Sequence, residues 1–190
     1  MAFLDPNTVI GILEGKLGDL VFVRAQNGKI IVRQRPEPCS EFTERQLSNH
    51  SLFKRAAAYV RAIRAQREVY ALYQAAARLS GRRACDLAHK DFRHKPVISE
   101  FDFSGYSGRA GQLIRIQAAD DFAVLRLTLT ISRLDGTLIE QGPATLDPAS
   151  SWWLYTAAVD VPPGQTVLLQ ATAVDRPGNV VTKTLHYAVV

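Results

Sequence analysis

Between Leu20 and Pro36 the chain alternates apolar and polar positions in two short runs, LVFVRAQ and KIIVRQR, on either side of Asn27-Gly28. Asn-Gly is the strongest two-residue hairpin signal, because both central residues of a type I′ turn carry positive φ. Such a turn sets Gln26 opposite Lys29, and pairs Ala25 with Ile30, Val23 with Val32 and Val21 with Gln34 on one face. The other face then pairs Arg24 with Ile31, Phe22 with Arg33 and Leu20 with Arg35. Apolar bodies stand on both faces, and arginine stems can lie along apolar surface. A lone hairpin is marginal in water, so both faces need cover. Leu20, Phe22, Arg24, Ile31, Arg33 and Arg35 are the candidate assembly contacts. Upstream, Gly11, Gly15 and Gly18 predict turns around a short extended piece.

After Pro36-Glu-Pro38 the period changes. Thr43-Glu-Arg-Gln46 is a capping box that opens a helix. Neither Gly nor Pro occurs from there to Leu79. Leu52, Ala56, Tyr59, Val60 and Ile63, then Val69, Tyr70, Leu72, Tyr73, Ala76 and Leu79, recur at helical spacing. One very long helix or a tight helical pair satisfies this pattern, with a joint placed at Arg64-Ala-Gln-Arg-Glu68. Ser80-Gly81 stops the helix, and Arg82 to Lys90 can form a short third one.

Beyond His94-Lys95-Pro96, read as a linker, the pattern becomes short β-rich runs at 97–103, 112–118, 124–132, 137–141, 151–160, 166–174 and 180–189. Seven such runs separated by Gly, Pro and Asp predict an antiparallel β-sandwich. The fold class expected is α+β, with a hairpin and helical region over 1–95 and an all-β domain over 96–190.

Charge sharpens this division. Residues 1–95 hold 17 Lys/Arg against 9 Asp/Glu, net +8, while residues 96–190 hold 6 against 9, net −3. A basic half suits nucleic acid, an acidic membrane surface or a partner of opposite sign, and one copy's basic half can meet another copy's acidic half. The first residues have neither a basic start nor an apolar run. No signal peptide or membrane span is therefore expected, which implies cytoplasmic synthesis and leaves export as an assembly open. Cys39 and Cys85 lie far apart without CxxC spacing, so neither a disulfide framework nor a zinc site is expected.

The second half resembles the bacterial immunoglobulin-like domains. The resemblance rests on Ala119-Asp120-Asp121, Tyr155-Thr156, Pro163-Gly164 and Asp175-Arg-Pro-Gly-Asn179, taken in that order over residues 97–190. It implies an immunoglobulin-like sandwich acting as a scaffold or adhesion module, usually non-catalytic and found in surface proteins and phage particles. The first half resembles uncharacterised bacterial proteins of phage-like character with a GKxGDxVFxR…NGKxxVR hairpin, here Gly15 to Arg33. That resemblance supplies no activity.

No catalytic constellation stands out. His50, His89, His94 and His186 are scattered, and no HExxH, Gly-x-Ser-x-Gly or phosphate-loop pattern occurs. Asp120, Asp121 and Asp175 form a candidate calcium set, since that ion takes six to eight oxygens. The turn preferences of these residues favour a structural reading instead, with Asp175 to Asn179 as a hairpin turn and Asp120-Asp121 capping a loop. No cofactor is expected. The arginines of the helical region scatter around the helices rather than forming one stripe, which places nucleic acid second among partners.

The function expected is a non-enzymatic, self-assembling structural protein, a subunit of a filament, tube or phage-like particle. Its hairpin and helices would meet other copies, and the immunoglobulin-like domain would face outward. The alternative is a monomeric or dimeric binding module for a glycan, a protein or nucleic acid.

Overall fold

A computed structural model describes residues 2–4, 15–24, 29–35 and 41–189. The chain is α+β and divides into two compact units, Met1–Leu47 and Ser48–Val190. The helices therefore group with the β-rich part, whereas the sequence pattern places the boundary at Pro96. Pro96 is fully buried, and only three residues separate the last helix from the next strand.

The first unit holds a four-stranded antiparallel sheet of β1 (Ala2–Leu4), β2 (Gly15–Leu17), β3 (Leu20–Arg24) and β4 (Ile30–Gln34), in the order β1-β4-β3-β2. Both edges of the β3–β4 hairpin are thus occupied by this chain. The register corrects the sequence expectation by one residue: Phe22 stands opposite Val32, Val23 opposite Ile31 and Arg24 opposite Ile30. Five residues intervene between the last pair, and the Asn27-Gly28 turn lies outside the described residues. The physical reason is the face pattern. This register sets Phe22, Ile30 and Val32 together on one side, where a one-residue slip would put Phe22 beside Arg33. β2 and β3 meet through a tight Gly18-Asp19 turn with Gly18 at φ 57°, and the Asp19 carbonyl accepts the Arg35 amide at 2.6 Å.

Three helices follow: α1 (Glu44–Ala65), α2 (Arg67–Ser80) and α3 (Ala84–Arg93). The capping box forms as expected, with Gln46 N donating to Thr43 Oγ1 at 3.3 Å and Thr43 N donating to Gln46 Oε1 at 2.9 Å. Of the two helical readings the pair is correct, and the break falls at Gln66, whose ψ of 89° leaves the helical region. Gly81 closes α2 in the left-handed conformation, donating to Ala77 and Arg78 carbonyls. Val60, Ile63, Tyr73, Ala77, Leu87 and Ala88 make the helical core, with Phe122 from the β-rich part packed against it. No helix among the described residues is long and apolar enough to cross a membrane.

All seven β-rich runs form strands: β5 (Val97–Asp102), β6 (Leu113–Ala119), β7 (Val124–Arg133), β8 (Leu138–Leu146), β9 (Trp153–Thr156), β10 (Thr166–Asp175) and β11 (Val180–Ala188). They build one antiparallel sheet in the order β11-β10-β7-β8-β9-β6-β5. β8 pairs with β7 along most of its length and with β9 at Thr145 and Leu146, so it passes from one wall of the curled sheet to the other. Alternate residues point inward, giving a core of Ile114, Ile116, Leu127, Leu129, Ile131, Trp153, Val167 and Leu169 among others. The outer strands β5 and β11 meet through Lys183, whose ammonium donates to the Ile98 and Ser99 carbonyls at 3.2 and 2.7 Å.

Candidate functional site

The six candidate assembly residues do not share a face. Leu20, Phe22 and Arg24 alternate with Val21 and Val23, while Ile31 and Arg33 stand opposite Val23 and Val21 on the other side, followed by Arg35. Phe22 is buried within the chain and Ile31 half-buried; Leu20, Arg24, Arg33 and Arg35 are exposed. Over β2, β3 and β4 the exposed large apolar residues are Leu17, Leu20 and Val23.

A second cluster lies where the helices dock on the β-rich body. Three apolar rows each end in a carboxylate there. On β6 the inward row Ile114, Ile116, Ala118 runs on to Asp120; on β10 the row Val167, Leu169, Ala171, Ala173 ends in Asp175; on α3 the face carrying Leu87 and Ala88 ends in Asp91. One carboxylate oxygen from each of Asp91, Asp120 and Asp175 lies within 4.8 Å of the others. Asp91 has no exposed surface and Asp175 almost none, while Asp120 is half-buried.

Neighbours hold these groups in place. Tyr73 donates to Asp91 Oδ2, so the Tyr59 hydroxyl, 2.9 Å from that of Tyr73, donates to Tyr73 in turn. The Tyr73 ring stacks on Phe122 at 4.0 Å. Asn179 reads the end of α3, donating from Nδ2 to the His94 carbonyl at 2.9 Å and to Asp175 Oδ2 at 2.7 Å. Its amide donates to Asp175 Oδ1, and Gly178 at φ 93° completes the hairpin turn expected from Asp175 to Asn179. Phe122 N donates to Asp120 Oδ2 at 3.3 Å. Asp91 Oδ1 and Asp120 Oδ1 are buried and accept no hydrogen bond.

The cations nearest α3 pair with a fourth carboxylate, outside the node. Lys90 Nζ and His94 Nδ1 each approach Asp121 at 2.5 Å. Asp121 therefore leaves the calcium set that the sequence suggested, and Asp91 takes its place. Burial alone would raise the Asp121 carboxyl, but the Lys90 and His94 contacts hold it below its ordinary value. The Arg176 guanidinium lies 5.7 Å from the Phe122 ring centroid, and its Nε has no partner. No Lys, Arg or His forms an ion pair with Asp91, Asp120 or Asp175 among the described residues. Burial, reinforced by Asp120, pushes the Asp91 carboxyl up to about 8, against the pull of the Tyr73 hydroxyl. Burial also raises Asp175, opposed by the donors of Asn179.

Sequence reasoning missed Asp91. The available signal was its position: at i+3 and i+4 from Ala88 and Leu87, it continues the apolar face of a short helix, where an unpaired carboxylate is costly. Elsewhere on the helices, a groove of about 440 Å³ is lined by Phe53, Ala57, Val60, Arg61, Arg64 and His89, with the free thiol of Cys85 beside it.

No family model matches the chain, and no curated protein does. Two solved structures are similar over about half of it. CopC from Methylosinus trichosporium OB3b is 13% identical over 48% of this chain and 89% of its own, with a TM-score of 0.36. A lipoprotein from Bacteroides thetaiotaomicron is 15% identical over 49% of this chain and 77% of its own, with a TM-score of 0.26. Similarity of this degree decides neither fold family nor function.

Proposed function

We propose that this chain is a non-enzymatic structural protein that assembles with copies of itself through its N-terminal unit, with an immunoglobulin-like sandwich as the exposed body. The observation that carries this reading is the apolar surface that β2 and β3 leave open. Over residues 15–24, 29–35 and 41–47, Phe22 and Ile30 are buried, while Leu17, Leu20, Val23 and Leu47 are exposed. Small sheets are marginal on their own in water, and contact with a second copy would cover these exposed residues. The hairpin's own edges are filled, so the edges available for strand addition are those of β1 and β2. Charge favours a copy of the same chain as partner. Residues 48–95 hold 11 Lys/Arg against 3 Asp/Glu, one of which is the buried Asp91, while residues 96–190 are net acidic. The immunoglobulin-like assignment is supported by the seven antiparallel strands and by the Asp175 to Asn179 turn in its expected place.

Light scattering with negative-stain imaging, across concentration and salt, tests this reading on the full chain. Regular particles are expected, and Leu17→Lys with Val23→Lys should dissolve them while leaving the β-rich body folded by circular dichroism. A 21.0 kDa monomer at every concentration overturns the proposal, and salt-sensitive DNA binding by that monomer would favour the binding-module alternative.

A further inference from the structure

The acidic node poses a question of charge balance. Three carboxylates converge without an ion pair to any Lys, Arg or His among the described residues, with the Arg176 guanidinium set over the Phe122 ring instead, and two of their oxygens accept no hydrogen bond. Asp91 matters most here, because it has no exposed surface and one of its oxygens is an orphan inside the cluster's own wall. Buried negative charge without a partner is costly. A proton on one carboxyl removes one charge of three. A divalent cation removes two and also satisfies the orphaned oxygens.

We propose that Asp91, Asp120 and Asp175 bind a calcium ion that fastens the helices to the β-rich body. The donors are all carboxylate oxygens, which select a hard cation. Oxygens on opposite sides of calcium stand about 4.6–5.2 Å apart, and the three carboxylate oxygens, all within 4.8 Å of one another, lie inside that reach. Water can complete the coordination, because a cleft of about 470 Å³ lined by His94, Lys95, Val97, Ala119, Asp120 and Asp121 opens beside Asp120. That cleft is also an entry path. Each ligand comes from a different element, α3, the end of β6 and the end of β10, so the ion would tie together segments far apart in sequence.

Terbium, a luminescent substitute for calcium, tests the site on the full-length protein after chelation. Tyr73 touches Asp91 and Tyr59 touches Tyr73, so excitation of tyrosine should sensitise bound terbium, and added calcium should quench the signal by displacement. Asp120→Asn, at the half-buried position, should weaken terbium binding at least about tenfold; Asp135→Asn, at an exposed carboxylate between β7 and β8, should leave it unchanged. Calcium at about a hundred times its dissociation constant should raise the melting midpoint by about 5–10 °C. Terbium signal that survives Asp120→Asn identifies an adventitious surface site and overturns the proposal. An absent signal, with a midpoint indifferent to calcium and raised by Asp120→Asn, overturns it too and leaves a shared proton as what balances the node.

Discussion

Two antiparallel sheets in one chain show how differently the same local geometry can be supported. In the β-rich body, inward rows alternate cleanly with outward ones, and a single core joins every strand from β5 to β11. In the N-terminal sheet both faces carry apolar residues, and over β2, β3 and β4 Phe22 and Ile30 are buried while Leu17, Leu20 and Val23 are exposed. Strand pairing is thus common to both, and enclosure of β2, β3 and β4 is much the weaker. Stability follows enclosure, since hydrogen-bonded ladders contribute little net free energy beside the burial of apolar surface.

The comparison is put under most strain by a matched pair of truncations. Leu129→Ala, at a fully enclosed position, should cost about 2–5 kcal/mol in urea unfolding. Phe22→Ala should leave that transition within about 0.5 kcal/mol of wild type and instead abolish amide protection over residues 15–35 in hydrogen exchange. A global loss from Phe22→Ala would show that the two sheets share one core. Next in size, Gly108→Ala should cost more than about 2 kcal/mol. Gly108 sits at φ 86°, and a Cβ there would run into the Val161 carbonyl and the Val189 side chain. Gly18→Ala, with open space around it in the N-terminal sheet, should cost only the backbone strain of about 1 kcal/mol.

The buried node supplies a subtler contrast. In chelator, the raised Asp91 carboxyl means that the folded state binds a proton more tightly than the unfolded one. Its contribution is complete below the ordinary carboxylate range and is lost as pH climbs towards about 8. Melting midpoints should therefore fall with rising pH over that window, and Asp91→Asn should flatten the slope. Smallest of all, Thr43→Ala removes the cap at the start of α1 and should cost about 0.5–1 kcal/mol, read as helix fraying by circular dichroism.

Much of the architecture was written in local chemistry. The capping box, the break near Gln66, the Gly81 stop and the seven strands each have a short-range cause, and each appears where its residues stand. The register of β3 and β4 was not legible, because the Asn27-Gly28 preference competed with a face pattern that only three-dimensional cover decides. Pro96 resembles a hinge by residue type, yet it is fully buried, and beside it Asn179 and Asp121 hold the end of α3 through His94 and Lys90. Two of the three members of the acidic node, Asp120 and Asp175, were visible. Asp91 lay on another element, and Asp121 beside Asp120 was spoken for by Lys90 and His94.

The Lys183 bridge has a chemical corollary. It is the single lysine in residues 96–190, and its amine serves the two carbonyls that join the outer strands of the β-rich body. Acylating that one nitrogen removes its charge and leaves it too few hydrogens to serve both carbonyls. An amine-selective reagent would thus turn a sealed seam into a pair of bare strand edges, converting a body that repels strand-to-strand stacking into one that invites it.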